Sequence, residues 1–263
     1  MKLGLCISLF LAGYLYSCPV VAQSTVAQPK EITIKAMTYN TYSGRKMGIE
    51  KIAEVIKKEN PDIVSLQEIE RNTKINPWDT PKKLSELTGM RYYYFAHALD
   101  IRSGGDYGNV ILSKYPISEE KSIKLNILRK DDYVRSFGYV KVTKEGKEFY
   151  FATAHLDHKY EDALRLKQVD EILACVEPLE LPIILAGDLN SRRGSATMAT
   201  FQKYFTVNCL SDGAPWTAPA PRPTYACDWL IYAPNDAFGR CGIIHRLVLA
   251  QEIERTARYS QHS

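Results

Sequence analysis

The 263-residue chain has no strong charge of either sign: 34 Lys and Arg against 30 Asp and Glu leave a formal charge of +4. That excess neither requires a polyanionic partner nor excludes one. There is no internal repeat and no low-complexity linker. Glycine (15) and proline (13) are unremarkable for the length. With 45% apolar and 24% charged residues the composition is that of a soluble globular chain. A disordered chain, a collagen, a coiled coil and a polytopic membrane protein are excluded. The length fits one large domain or two small ones, with a sizeable core. Cysteine is sparse outside the first residues. Cys175, Cys209, Cys227 and Cys241 remain, and the last three, 18 and 14 residues apart, do not have zinc-ligand spacing. One disulfide among those three and small buried thiols are nearly even readings.

The N-terminus departs from this balance. No charge follows Lys2 until Lys30, and Leu3 to Tyr16 is mostly apolar. Val20-Val21-Ala22 before Gln23 has the small-residue character of a cleavage site. This order is that of a secretory signal peptide over residues 1–22, with 23–30 as a short linker. Two alternatives stay open. One is a retained membrane anchor, since the uncharged stretch approaches spanning length. The other is a lipoprotein signal ending at Cys18, on Leu15-Tyr16-Ser17-Cys18. The expected location is accordingly periplasmic, secreted, or lipid-anchored at Cys18.

From residue 31 to 263 strands and helices alternate as one domain. Glu31–Tyr39 reads as a half-buried strand and Gly48–Asn60 as a helix stopped by Pro61. Asp62–Leu66, Tyr92–Ala96, Asn109–Ser113 and Leu181–Ala186 read as strands, and Pro81–Thr88 as a helix ended by Gly89. Arg135–Val142 and Glu148–Ala154 flank a hairpin signal at Lys144-Glu145-Gly146. Tyr160–Val176 reads as an amphipathic helix with Ala163, Leu166, Val169, Ile172 and Leu173 on one face. The proline-rich Ala214–Pro223 is a loop, and Asp228–Tyr232 and Gly242–Leu249 close the set. The pattern predicts an α+β domain with mixed strand pairing.

Several strands end in polar residues that a strand does not need. Asn40 ends the first and Gln67-Glu68 the second. His155-Leu156-Asp157-His158 ends a hairpin arm, Gly187-Asp188-Leu189-Asn190 ends a buried strand, and Asp228 opens another. Singly these are caps, turn residues or a core histidine. Strand ends at one edge of a sheet cluster in space, so together they supply carboxylates, an amide and imidazoles. That is a toolkit for a hard divalent cation with general acid–base chemistry.

At these residues the chain resembles the endonuclease/exonuclease/phosphatase superfamily, whose fold is shared by DNase I, apurinic endonucleases, inositol polyphosphate phosphatases and bacterial sphingomyelinases. The matching pieces are Thr38-Tyr39-Asn40, Leu66-Gln67-Glu68, Tyr107 to Ser113, His155 to His158, Gly187 to Asn190 and Cys227 to Ile231, in family order. The resemblance implies a four-layer α/β sandwich of two mixed sheets flanked by helices. It implies Glu68 as principal Mg²⁺ ligand (Mn²⁺ being the alternative) with Asn40 beside it. Asp188 would orient or deprotonate the attacking water, and His155 and Asn190 would bond the phosphoryl oxygens. Asn109 would line the pocket and Arg165 would shape it, although for Arg165 a salt bridge at the core edge is an equal reading. Asp228 would hold the family's last histidine, here His262.

The family closes with Ser-Asp-His and a final strand. Here the nearest match is Ser260-Gln261-His262, before Ser263. The expectation is therefore a sandwich without its last strand and a site with a neutral amide at 261. Two functions follow. One is an exported Mg²⁺-dependent phosphodiester or phosphomonoester hydrolase, working on a phosphorylated small molecule, a lipid head group or a nucleic acid, as a monomer without a stable protein partner. The other is a non-catalytic member that binds phosphorylated ligands. Near-neutral charge and export favour a small or exposed phosphoester over duplex DNA.

Overall fold

The computed structural model describes residues 32–159, 161–207, 216–218, 222 and 224–234. The leader, His262, Gln261, Cys209, Cys241 and the Gly242–Leu249 strand lie outside them. Ten strands and four α-helices are described. β1 (Ala36–Asn40), α1 (Gly48–Glu59), β2 (Ile63–Arg71), α2 (Thr80–Thr88), β3 (Tyr92–Asp100) and β4 (Asp106–Ser113) come first. β5 (Ile117–Leu125), β6 (Arg135–Lys144), β7 (Lys147–His155), α3 (Asp162–Val176), β8 (Ile183–Asp188), α4 (Ala196–Phe201), β9 (Thr206–Val207) and β10 (Asp228–Ala233) follow.

The strands form two mixed sheets, ordered β1-β2-β4-β3 and β5-β6-β7-β8-β10-β9. Pairing is parallel for β1/β2 and β7/β8 and antiparallel for the other pairs. Period-two alternation sends each strand's side chains to two different layers. In β2, Val64, Leu66 and Ile69 meet Ile49, Ile52, Ile56 and Leu84 of α1 and α2. In β7, Ala152 and Ala154 meet Val169 and Ile172 of α3, with Met198 and Phe201 of α4 in the same cluster. The opposite faces of the two sheets meet in a third cluster of Ile63, Ile111, Val140, Val142, Phe149, Phe151 and Ala186. The result is the expected order of helix, sheet, sheet and helix.

Local signals explain most boundaries. Asn60 ends α1 in the left-handed conformation before Pro61. Asp79 caps α2 by accepting from Lys82 N, and Gly89 ends it at φ 74°. One expectation needs correction. α3 starts at Asp162, and its buried face is Leu164, Arg165, Gln168, Val169, Ile172 and Leu173; Ala163 is exposed. Polar residues enter that face because Arg165 and Gln168 bind the backbone of the loop after β7. β5 escaped the sequence pattern because its exposed Glu and Lys are those of a charged edge strand. Tyr92–Tyr94 belong to an edge strand and are half-buried. Cys175 and Cys227 are free thiols.

Candidate active site

Along the layer between the sheets, apolar residues give way to polar ones. In β2 the inward positions run Ile63, Ser65, Gln67, and in β7 they run Phe149, Phe151, Thr153, His155. Ser65 Oγ lies 2.6 Å from Thr153 Oγ1 and 2.8 Å from Ala186 O, and Gln67 Nε2 donates to Ser65 Oγ at 2.7 Å. Every buried hydroxyl and amide of this ladder is thereby satisfied. The same parity delivers Asn40, His155, Asp188 and Asp228 to the strand tips. Register levels them: Asn40 pairs with Gln67, His155 with Asp188, and Asp188 with Asp228. Gly187 allows β8 to sit there, because a Cβ would fall 2.0 Å from Ala154 O.

Glu68 reaches the site by breaking this parity. A bulge shifts the β2/β4 register between Leu66 and Ile69, and Glu68 adopts φ 57°. Bulges of this kind re-aim a side chain at a cost in backbone strain. Asn190, Tyr42 and Ser43 also have positive φ, at 46°, 50° and 53°. All four line one cavity of about 570 Å³. Its wall also includes Arg45, Glu70, Tyr107, Tyr133, Arg135, His155, His158 and Asp188.

The polar contacts are specific. Asn40 Nδ2 donates to Glu68 Oε1 (3.2 Å) and Asp188 Oδ2 (3.0 Å), while its Oδ1 accepts from Tyr42 N (3.1 Å). Asp188 Oδ1 accepts from Asn190 N at 3.0 Å, and Asn190 Nδ2 donates to Leu156 O at 3.0 Å, leaving that amide one further N–H. Burial pushes the Asp188 carboxyl upward, against the hydrogen bonds of Asn40 and Asn190. Asp228 is pushed up to about 7 by burial and by Asp188 beside it. Its Oδ1 is buried without a hydrogen-bond partner among the described residues. The Cys227 thiol, next to both acids, is raised by burial and by their charges.

Arg135 is the functional residue that sequence reasoning missed. It is 5% exposed and forms no ion pair among the described residues. Its Nη1 lies 3.0 Å from Tyr107 OH and 3.1 Å from His155 Nδ1, and its Nη2 lies 3.5 Å from His158 Nδ1. A guanidinium can only donate. It therefore fixes His155 as the tautomer with hydrogen on Nε2, which faces Asp188 Oδ2 at 3.7 Å. Burial first, then Arg135 and His158, push the imidazole well below its ordinary range, so His155 is neutral. Parity does not reveal it: Arg135 shares the side of β6 that carries Phe137 and Tyr139 into the helix-facing cluster, and it reaches His155 from the start of the strand.

Two expected pocket residues stand elsewhere. Asn109 is buried beneath the floor, its Nδ2 donating to Ser136 O (3.0 Å) and Ser136 Oγ (3.2 Å). Arg165 bonds Asp162 Oδ1 and the carbonyls of Asp157 and Lys159, bracing the loop after β7. Neither lines the cavity. A long polar side chain near a motif does not reveal from sequence which loop it will bind.

The Endonuclease/Exonuclease/phosphatase family model matches residues 37–237. The chain belongs to this family. Sphingomyelinase C 1 of Leptospira interrogans is 30% identical over 101 residues, which cover 34% of this chain and 17% of that protein. The sphingomyelinase C structure from Streptomyces griseocarneus superposes with a TM-score of 0.60 at 20% identity, covering 80% of this chain and 86% of that one. The mannosyl-6-phosphatase from Bacteroides thetaiotaomicron gives 0.58 at 18% identity, covering 77% and 86%. Both structural likenesses show the endonuclease/exonuclease/phosphatase fold.

Proposed function

We propose that the chain is an exported phosphoester hydrolase that uses a divalent cation, Mg²⁺ in the first place and Mn²⁺ as substitute, to let water attack phosphorus in line. The observation that carries this is the convergence of Glu68, Asn40, Asp188, Asn190, His155 and Arg135 on one cavity end, from both sheets. The donor set suits a hard cation. Glu68 and Asp188 offer carboxylate oxygens on either side of Asn40, and no ion pair neutralises Glu68 among the described residues. Glu68 would hold the ion, with Asn40 turning its amide oxygen inward. Bound there, the cation would polarise the phosphoryl oxygen.

The protein's own groups supply the rest. Asp188 accepts a proton from water as the oxygen bonds to phosphorus, and its two anchors, Asn40 and Asn190 N–H, keep it aimed. His155 Nε2–H, the spare N–H of Asn190 and Arg135 donate to the phosphoryl oxygens as charge grows. A neutral His155 donates without adding charge of its own. The ester oxygen takes a proton from solvent and leaves as an alcohol, and Asp188 returns its own proton to solvent to complete the cycle. Asp228, whose Oδ1 has no hydrogen-bond partner among the described residues, would hold the family's last histidine, for which His262 is the sequence match. Asn109 and Arg165 support the floor and the loop.

The cavity volume, about 570 Å³, favours a small or surface-exposed phosphoester over duplex DNA. Export rests on the N-terminal pattern alone. The test is turnover of bis-p-nitrophenyl phosphate and p-nitrophenyl phosphate by purified protein with Mg²⁺, Mn²⁺ or EDTA. Hydrolysis in either metal and none in EDTA is expected, and the ratio of the two substrates assigns diester or monoester preference. Equal hydrolysis in EDTA, or none with any metal from folded protein, contradicts the proposal.

A further inference from the structure

Eight large apolar side chains stand exposed among the described residues, and seven of them lie at one end of the fold. Tyr42 follows β1, Ile75 and Trp78 follow β2, and Ile127, Leu128 and Tyr133 follow β5. Trp216 lies between β9 and β10. Each of these loops leaves its sheet at the end where the cavity opens, as the pairings of β1 with β2, β5 with β6 and β9 with β10 require. Only Tyr204, between α4 and β9, lies away from it. Single exposed apolar residues are ordinary on a soluble protein, but sorting to one end is not.

Charge on these loops is sorted as well. Lys46, Lys74, Arg102 and Lys130 are exposed on the cavity-end loops. The acids of the same loops have partners: exposed Asp131 faces Lys159 Nζ at 3.6 Å, and exposed Asp100 faces His97 Nε2 at 3.0 Å. Asp79 caps α2, Asp132 accepts Lys159 and the N–H groups of Leu128 and Arg129, Asp157 is fully buried, and Glu161 pairs with Arg129. The face that surrounds the cavity is thus apolar and basic. Stacked bases would use the aromatic residues but have no use for Ile75, Ile127 and Leu128. Hydrocarbon accepts all of them, tryptophan and tyrosine suit the headgroup level, and the basic side chains suit anionic headgroups.

We propose that the cavity end docks on an anionic lipid bilayer, so that the phosphoester substrate is taken at the membrane surface. The substrate part of this inference rests on the hydrolase reading; the docking does not. The chain's own tryptophans provide the test. There are three, at 78, 216 and 229, and none lies in the N-terminal apolar stretch. Trp229 is 1% exposed and bonded to Ser191 O, so changes in fluorescence report the rim.

The experiment titrates the full chain with phosphatidylcholine–phosphatidylglycerol vesicles whose acyl chains are brominated quenchers. Quenching is expected with the anionic vesicles, weaker with phosphatidylcholine alone and reversed by high salt. Replacing Ile127 and Leu128 with Ser is expected to weaken partitioning about tenfold while leaving turnover of soluble bis-p-nitrophenyl phosphate unchanged. Tyr204→Ser is expected to quench like the parent. Absence of quenching, or equal quenching by the Ile127→Ser/Leu128→Ser protein, overturns the proposal. A vesicle-bound chain without quenching does so too, since the N-terminal stretch would then be the anchor. Absence of soluble turnover in the parent chain would count against the hydrolase reading instead.

Discussion

Where β2 begins, Asp62 accepts from Lys35 N and from Lys144 Nζ, both at 2.8 Å, and from Tyr115 OH at 3.3 Å. Where β8 ends, Asp188 and Asp228 lie level on adjacent strands, and one oxygen of Asp228 has no partner among the described residues. The two ends of one inter-sheet layer treat a buried acid in opposite ways. At the first, burial raises the Asp62 carboxyl, but the bonds from Lys144, the Lys35 N–H and Tyr115 outweigh it and the group lies below its ordinary range. At the second, burial raises both acids, and the charge of Asp188 adds to the rise at Asp228. The first end clasps the sandwich. The second stores negative charge that a cation or a proton must relieve. Stability and chemistry are thus separated along the same strands.

The largest effect expected from breaking this contrast is at Arg135. Arg135→Met removes the one buried guanidinium that faces the site and frees both imidazoles. A drop in kcat/KM of about 10²–10³ is expected, the size found for a lost transition-state donor, with near-UV circular dichroism unchanged. A loss below tenfold would place the residue outside the reaction. At the clasped end, Lys144→Met leaves Asp62 without its ammonium partner. The pair is partly solvated, with side chains 8% and 17% exposed, so the cost is about 2 kcal/mol, under the range for a wholly buried pair. Urea denaturation is expected to show that loss with kcat unchanged.

The pH response sharpens the comparison further. Asp62 is depressed in the folded state, so its contribution is present above its unfolded pKa, about 4, and is lost as pH falls through the lower folded value. Asp228 is raised to about 7, so its favourable contribution is full below about 4 and is lost as pH climbs towards 7. In EDTA, Asp228→Asn is therefore expected to gain Tm relative to the parent between pH 4 and pH 7.5. His155, depressed by burial, destabilises the fold below about 6.5 in both proteins and cancels in the difference. A difference that is flat with pH would refute the assignment. The smallest effect belongs to Ser65, midway along the layer. Ser65→Ala is expected to cost about 1–2 kcal/mol for its buried bonds to Thr153, Ala186 and Gln67, with less than a tenfold change in kcat.

Much of this arrangement is legible in sequence, because alternation fixes which face of a strand a residue joins. Asn40, His155, Asp188 and Asp228 stand on the inward parity of Ala36, Phe151, Ala186 and Leu230, and their meeting at one end follows from strand direction. Glu68 was found through its motif and not through parity, since no glycine marks the bulge at φ 57°. Arg135 was missed because a charge at the start of a strand resembles a solvated end. Its parity, shared with Phe137 and Tyr139, points to the helix-facing side and away from the site. Asn109 illustrates the reverse case, while Arg165 takes the salt bridge that was its equal reading. Their partners are the Asp157 and Lys159 carbonyls and Ser136, which only the folded chain brings within reach.

The central claim is that the acidic end of the layer works through a cation held at Glu68. The most direct measurement strips the parent and Glu68→Gln proteins with EDTA, adds Mg²⁺ back, and follows bis-p-nitrophenyl phosphate hydrolysis in both. The account predicts that Mg²⁺ restores turnover in the parent and leaves the variant at least about 10²-fold slower at equal fold stability. Equal restoration in the two proteins would contradict it.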